Sequence, residues 1–362
     1  MKNSIDRSHR SLSIDALRGL AVLSVVFHHA YMPFIGIYGY DVFLSFFHQY
    51  GVLGVDLFFL LSGFCIHGAY SNANQQFSPK HYLLRRWWRI YPPYFFALGL
   101  AVILNLMTDY CKWRTGGVVS LHNFGVVQIL PHLFLLHDFS PYTLHGISGP
   151  FWTIAMEAQY YLLYLAVRPF FYDRKGWFFM FALALVLHFA AWSEYSSVLP
   201  FQPLSPFRYW IEWVLGAFLV YWIRRKPPVF NHKRFFYFFF FLLFFVSAVF
   251  INRLVSYPSF GVLFFAVSFA FLILFFLHLE KIWSLPAMRW LPGVGVFSYS
   301  VYLIHFLLID RVRTLFILRA PQGWLRMASS VFIISFCVAA SYLFFLFLEK
   351  PFMNKSASIP KY

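Results

Sequence analysis

The sequence predicts an all-α integral membrane protein, a bundle of about ten transmembrane helices. Hydrophobic residues make up 60% of the 362 positions, charged residues only 12%, and the mean hydropathy is +0.65. Too few polar residues remain to cover a soluble globule, so most of the chain is predicted to face lipid. The 50 phenylalanines and 23 tyrosines are typical of the aromatic residues found in membrane belts.

Apolar runs of spanning length recur along the chain and define the predicted helices. In order, they are residues 14–34, 52–70, 90–108, 152–168, 177–192, 207–223, 235–251, 258–277, 296–315 and 328–348. Residues 122–138 form a shorter apolar stretch that Pro131 interrupts. We therefore predict an interfacial or re-entrant helix there instead of a crossing.

Charge predicts the orientation. An even number of crossings puts both termini on one side, and most lysines and arginines fall in the loops of that side, such as 80–89 and 224–234. The positive-inside rule then places both termini in the cytoplasm. This loop pattern also accounts for the net charge of +16 without a nucleic-acid partner. The predicted units are a cytoplasmic segment 1–13, a transmembrane domain 14–351 and a cytoplasmic tail 352–362.

Metal and disulfide chemistry are not predicted. Cys65, Cys111 and Cys337 are odd in number and scattered, with no CxxC or CxxH pairing. The histidines between His122 and His145 have spacings that match no metal-ligand pattern.

The first apolar run carries a cation and an imidazole, which are costly in hydrocarbon and often functional there. On a helix, His29 returns to within about 20° of Arg18, whereas His28 points about 80° away. Asp15 lies about 40° from His29. A histidine is a natural general base at neutral pH. Alternatively, Arg18 extends to the headgroups and His29 packs between helices.

Arginines cluster where the third span begins. Arg85 and Arg89 share a helical face by i, i+4 spacing, as Arg86 and Arg89 do by i, i+3 spacing. Arginine binds phosphate in a bidentate manner, so one phosphate-rich ligand is predicted to bridge them. The alternative is ordinary positive-inside charge beside a tryptophan belt.

Three further ionisable residues lie in or beside apolar spans. Glu157 enters the fourth span and is either functional or the partner of an arginine or histidine. Asp56 starts the second span, where it can also cap its own helix. His305, in the middle of a span, is either a packing residue or part of the same cavity.

Taken in order, these segments resemble the acyltransferase family 3 membrane proteins, from Ser13 to Pro351. The motifs are Asp15–Leu20 with His29, Gly54–Phe59 with Ser62–Phe64, Arg85–Arg89 before Pro92, Trp152–Tyr161, Arg208 with Glu212 and Gly216, Ser298–His305, and Glu349–Pro351. The family spacing of an arginine, ten residues and a histidine also selects His29. Ala158 stands where the family usually has a second carboxylate. Many members carry a fused hydrolase-like domain, and this chain is expected to be the form without one.

The resemblance implies transfer of an acyl group, acetyl by family frequency, from cytoplasmic acyl-CoA to a hydroxyl of a surface glycan or lipid-linked oligosaccharide. It implies a bacterial inner-membrane location and no permanently bound cofactor. The implied catalytic residues are His29, Arg18, Glu157 and Asp56. The implied phosphate-binding residues are Arg85, Arg86, Arg89 and Arg18. The implied substrate-binding residues are Asp15, Tyr299, His305 and Trp152.

Other readings stay open at this point. Transfer can proceed directly or through an acyl-histidine or acyl-serine intermediate. A transporter or exporter of a glycan or small anionic solute would share the topology, although we find no internal repeat or paired broken helices. The acceptor is equally open among lipopolysaccharide O-antigen, exopolysaccharide, peptidoglycan and lipid-linked sugars.

Overall fold

The computed structural model describes residues 11–31, 40–71, 76–114, 125–195, 201–225, 234–255, 258–317 and 324–360. Within these ranges the chain is helical and contains no strand. The helices are α1 (Leu12–Ala30), α2 (Tyr40–Gly51), α3 (Gly54–Tyr70), α4 (Pro79–Arg114), α5 (Val126–Leu133), α6 (Trp152–Val167), α7 (Arg174–Tyr195), α8 (Trp210–Arg225), α9 (Arg234–Leu254), α10 (Pro258–Leu277), α11 (Glu280–Trp283), α12 (Trp290–Val296), α13 (Ser298–Ile317), α14 (Trp324–Phe344) and α15 (Lys350–Ser358).

Each predicted span falls on a helix or on a bent pair of helices. Among the described residues, six helices are long and apolar enough to cross a membrane, or eight if the pairs α2–α3 and α12–α13 each form one span. Helices α6 and α8, also predicted to cross, have 16 residues each, fewer than the ~20 of a typical span. The chain is therefore a multi-pass membrane protein, while ten crossings and cytoplasmic termini stay predictions.

The segment predicted to be interfacial contains a short helix. Helix α5 has eight residues and is followed by a 3₁₀ turn at His137–Phe139. At 1.5 Å per residue, such a helix covers roughly 12 Å and cannot cross a bilayer. Residues 122–124 of the predicted segment lie outside the described residues.

Residues 352–358 of the predicted C-terminal tail belong to helix α15, which packs against α4. The Ser356 hydroxyl donates to the Arg85 carbonyl at 2.7 Å. Before α15, residues Phe345–Glu349 form a π-helical turn. Such turns are rare and are often found at functional sites. Here the turn carries Glu349 into the protein interior, where the side chain is fully buried.

The start of α1 is fixed by a carboxylate from α11. Glu280 accepts the backbone N–H groups of Leu12 at 2.7 Å and Ser13 at 2.9 Å, and the Ser11 hydroxyl at 3.1 Å. The Ser11 oxygen in turn accepts the N–H of Ile14 at 3.4 Å. These bonds satisfy the free N–H groups of the first turn and place negative charge at the positive end of the helix dipole. They hold α1 at a defined depth in the bundle.

Glycines allow α3 and α8 to pack at backbone distance. A Cβ at Gly63 would overlap the backbone carbonyl of Trp213, and one at Gly216 would overlap that of Leu60. Small residues are the usual means of close helix approach in membranes. Helix α3, which carries several residues of the site described below, is thereby held firmly against α8.

Helices α12 and α13 meet at an angle of 80° around Phe297. Helix α12 lies against α1, where a Cβ at Gly295 would overlap the Asp15 backbone. The bend therefore brings the first residues of α13, Ser298 and Tyr299, next to the region around Arg18.

Candidate active site

Polar side chains from five helices surround an internal cavity of about 120 Å³. The cavity lies between α1, α3, α4, α6 and α13. Its polar lining residues are Arg18, Ser62, Cys65, Arg86, Arg89, Thr153, Glu157, Tyr161, Ser298, Tyr299 and Tyr302. Five residues that the sequence singled out therefore meet here: Arg18, Arg86, Arg89, Glu157 and Tyr299.

Arg18 reaches the cavity from α1. Its Nη1 lies 3.4 Å from Asp15 Oδ1, one turn earlier, and its Nη2 lies 3.3 Å from Cys65 Sγ. Asp15 is buried, whereas 31% of the Arg18 side chain is exposed. A guanidinium has five N–H donors, and these contacts occupy two of them. Arg18 is thus partly neutralised by its own helix and retains donors for a ligand.

Arg86 lies among aromatic rings. Its guanidinium carbon is 5.9 Å from the ring centres of Tyr70 and Tyr82 and 5.6 Å from that of Tyr161. No carboxylate of the described residues forms an ion pair with it. The ring faces attract the cation without neutralising it. Among the three cavity arginines, Arg86 is therefore best suited to an anionic ligand.

Arg89 is paired with a buried glutamate. Its Nη1 lies 2.7 Å from Glu349 Oε1. The other carboxylate oxygen accepts the N–H and hydroxyl of Ser300, at 3.1 Å and 2.5 Å. Arg85, in contrast, does not line the cavity and donates to the carbonyl oxygens of Ile359 and Ala357. The structure thus separates Arg85 from the other two arginines of the cluster.

Glu157 presents its carboxylate to the cavity from α6. Its Oε1 accepts the hydroxyl of Tyr161 at 2.5 Å and that of Ser62 at 3.2 Å. A carboxylate in this position offers acceptor oxygens to a ligand in the cavity.

Tyrosines of α13 form another part of the wall. The Tyr299 hydroxyl donates to the Ile90 carbonyl at 2.9 Å, and its ring lies 6.0 Å from the Arg89 guanidinium. The Tyr302 hydroxyl accepts that of Thr153 at 2.8 Å. The Tyr302 ring lies 5.5 Å from that of His305. Tyr302 therefore stands between the cavity and a group of histidines.

His29 belongs to this histidine group and not to the cavity wall. Its ring centre lies 5.3 Å from that of His305 and 5.1 Å from that of Phe306. The neighbouring His28 faces α2, where its Nδ1 is 2.7 Å from the His48 carbonyl and its ring stacks on the His48 ring. The His28 and His29 rings also lie edge to face, 4.8 Å apart, and His29 is the one that packs against α13.

Asp56 and Trp152, also named by the sequence, lie apart from the cavity lining as well. The buried carboxyl group of Asp56, which the resemblance implies to be catalytic, faces that of Glu212 on α8. Trp152 packs its ring against Phe59 and Tyr209, with ring centres 6.4 Å and 5.6 Å apart. Asp15 acts on the cavity through Arg18, as described above.

Sequence reasoning gave no individual role to Cys65, Thr153 or Tyr161. Helical spacing is the signal that points to two of them. Cys65 follows Ser62 by three residues and Tyr161 follows Glu157 by four, and such pairs share a helical face.

A second buried polar group lies beside α6, in the segment that contains α5. The rings of His132 and His137 stack 4.0 Å apart, and Asp138 accepts the Gln159 amide at 2.8 Å. Burial lowers the pKa of His132 to about 4 and that of His137 to about 3, and raises the pKa of Asp138 to about 7. No three histidine, cysteine, aspartate or glutamate side chains of the described residues are grouped as a metal site requires.

Comparison with known proteins identifies a family. The profile of a family described as an acyltransferase domain matches residues 11–346. This range contains the whole cavity lining and the histidine group. No solved structure matches the chain.

Curated relatives include two proteins named for O-acetyl transfer. The chain is 25% identical over 94% of its length to peptidoglycan O-acetyltransferase OatA of Listeria monocytogenes. It is 26% identical over 95% of its length to putative peptidoglycan O-acetyltransferase YrhL of Bacillus subtilis. It covers 55% of each of these proteins. Nodulation protein 10 of Rhizobium leguminosarum is 27% identical over 44% of the chain and of its own length.

Proposed function

The chain belongs to the acyltransferase 3 family, and from this premise we propose that it is a membrane O-acyltransferase acting on a glycan hydroxyl. One observation carries the proposal: α1 presents Arg18 to a polar cavity and His29 to α13. A single helix thereby links a cationic binding cavity to a potential base. The names of the two bacterial relatives support acetyl as the group transferred and a peptidoglycan-like glycan as the acceptor. We propose a bacterial cytoplasmic membrane as the location, since the chain is a multi-pass membrane protein and both relatives are bacterial.

The proposed donor is acyl-CoA. A cavity of about 120 Å³ is far smaller than the ~300–1,000 Å³ of pockets for drug-sized ligands. It suits the narrow pantetheine arm and thioester better than the nucleotide. In this proposal the phosphates bind at the Arg86 and Arg89 side, where Arg86 has no carboxylate partner among the described residues. Arg18 and Glu157 then offer donors and acceptors to the arm.

His29 is the proposed general base. It removes the proton of the acceptor hydroxyl while that oxygen attacks the thioester carbonyl carbon. The carbon–sulfur bond breaks, CoA leaves as the thiolate, and the proton held by His29 passes to it. A positioned base typically contributes 10²–10⁴-fold to the rate. Because His29 does not line the cavity, we expect the wall at Tyr302 to open before transfer.

Acceptor-dependent release of free CoA by purified protein in lipid vesicles tests the proposal. We expect His29→Ala to lower this rate by about 10²–10⁴-fold. His28→Ala is the matched control, because His28 faces α2, and it should cause a much smaller loss. Full activity of His29→Ala, or equal losses in both variants, would overturn the assignment of the base. A carrier without chemistry would release no CoA in the wild-type protein.

Glycan mass spectrometry of cells with and without the gene tests the acceptor. We expect an acetyl group on the surface glycan that disappears on deletion and returns with the wild-type gene but not with His29→Ala. Unchanged glycan masses would contradict the proposed acceptor class.

A further inference from the structure

His305 is a fully buried histidine whose backbone contacts fix its tautomer. Its Nδ1 lies 2.7 Å from the Tyr302 carbonyl oxygen and 3.2 Å from that of Val301. A carbonyl oxygen only accepts hydrogen bonds, so Nδ1 must carry the proton. In the neutral ring, Nε2 is then left with a lone pair and acts as an acceptor.

That acceptor nitrogen is buried and has no hydrogen-bond partner among the described residues. An unmade hydrogen bond at a buried polar atom is unfavourable, because the atom has lost its water without gaining another partner. Another fully buried histidine, His188, has carbonyl oxygens within 3.0 Å of both ring nitrogens. At His188 both ring nitrogens thus face a backbone oxygen, whereas Nε2 of His305 faces no hydrogen-bonding group of the described residues.

The ring of His29 lies beside His305, which also contacts the ring of Tyr302 at 5.5 Å between centres. The two imidazole ring centres are 5.3 Å apart and these rings are tilted by 41°. A hydrogen bond of about 2.9 Å between nitrogens of two imidazoles puts their centres roughly 5 Å apart. The observed separation is therefore close to that of a directly bonded pair.

We propose that His305 is a positioning residue for His29, accepting an N–H of its ring at Nε2. This inference rests on the proposed acyl-transfer function. With one ring nitrogen donating to His305, the other nitrogen of His29 carries the lone pair that removes the acceptor proton. Once His29 becomes an imidazolium, the same bond stabilises its charge, as a carboxylate does in a catalytic triad. His305 itself stays neutral throughout, so no additional proton acceptor is needed.

Two substitutions at this position separate positioning from packing. His305→Phe fills the site without an acceptor, whereas His305→Gln keeps an acceptor oxygen near the position of Nε2. We expect His305→Phe to lower kcat by about 10²-fold with little change in KM for acyl-CoA. The kcat of His305→Gln should be at least about tenfold higher than that of His305→Phe. In a His29→Ala background, His305→Phe should cause no further loss, because residues that act as a unit are not additive.

The ¹⁵N resonances of His29 give a readout that does not depend on turnover. In wild-type protein with labelled histidine, assigned through His29→Gln, we expect one dominant tautomer. In His305→Phe we expect a mixture, and in His305→Gln one tautomer again. Equal kcat in the wild-type protein and His305→Phe, or an unchanged tautomer in His305→Phe, would overturn the positioning role. Absence of acyl transfer by wild-type protein with the tautomer shift intact would instead overturn the proposed function alone.

Discussion

Arg89 and the fully buried Glu349 form an ion pair, with 2.7 Å between Nη1 and Oε1, that joins α4 to the π-helical turn. Glu349 also accepts both donors of Ser300, so the pair ties α13 to the same point. The walls of the cavity formed by α4 and α13 therefore depend on one carboxylate.

We expect Glu349→Ala to destabilise the folded protein by about 2–5 kcal/mol, because both donors of the buried Ser300 lose their acceptor and the Arg89 guanidinium loses its partner. Asp310→Ala is the matched control: Asp310 pairs with Arg311 at 2.6 Å but is 51% exposed. Exposed pairs contribute about 0–1 kcal/mol. Unfolding of the purified variants in detergent measures the loss of stability in each. Equal losses would show that the burial of Glu349 is not decisive.

Donor binding should distinguish the neighbouring arginines. Arg86→Ala is expected to raise KM for acyl-CoA by about 10–100-fold, since a lost charge-assisted hydrogen bond costs about 1.5–3 kcal/mol. Arg85→Ala removes the same charge one residue away, from a side chain outside the cavity lining. Its KM should stay within about threefold of the wild-type value. Steady-state kinetics at varied acyl-CoA concentration measures both KM values. A larger rise in KM for Arg85→Ala than for Arg86→Ala would contradict the assignment of Arg86 to donor binding.

The close approach of α3 and α8 predicts a strong response to a single methyl group. Gly63→Ala places a Cβ against the Trp213 carbonyl, so we expect loss of monodisperse protein in size-exclusion chromatography. Gly99→Ala in α4 is the control, because a Cβ there meets no atom within 4 Å. It should be neutral or stabilise by about 0.5–1 kcal/mol, since alanine is the better helix former. A well-behaved Gly63→Ala protein would indicate that the two helices can separate.

Apolar run length predicted the positions of the helices, because each buried or lipid-facing helix needs its own apolar stretch. It could not predict the 80° bend at Phe297 or the π-helical turn before Lys350. Those features depend on α12 packing against α1 and on the bonds made by Glu349, which join residues far apart in sequence.

Helical spacing had a similar limit for the site. It indicated that Arg86 and Arg89 share a face, and both line the cavity. It indicated equally that Arg85 and Arg89 share a face. The cavity, however, contacts only a narrow arc of α4 and leaves Arg85 outside. The proximity of His29 and His305 is a tertiary contact that no local pattern contains.

The buried histidines of the α5 segment predict a loss of local stability in acid. The pKa values of His132 and His137 fall from the ordinary 6.5 to about 4 and about 3, because burial disfavours the charged ring. Between pH 6.5 and these values the opened segment binds protons that the packed segment does not. Packing of the α5 segment against the bundle therefore weakens as the pH falls through this window.

Asp138 changes the stability of the segment with pH in the opposite direction. Burial raises its pKa from 3.8 to about 7, so the packed segment holds a proton that the opened segment has lost. Its contribution is present at low pH and is lost as the pH rises toward 7. Hydrogen–deuterium exchange of peptides covering 126–151, corrected for intrinsic exchange rates, measures the combined effect of the histidines and Asp138 on local stability. His137→Phe should flatten the loss of protection in acid, and Asp138→Asn, which can still accept from Gln159, should flatten the loss near neutral pH. If both variants kept the wild-type profile, the pH dependence would have to arise from groups outside this segment.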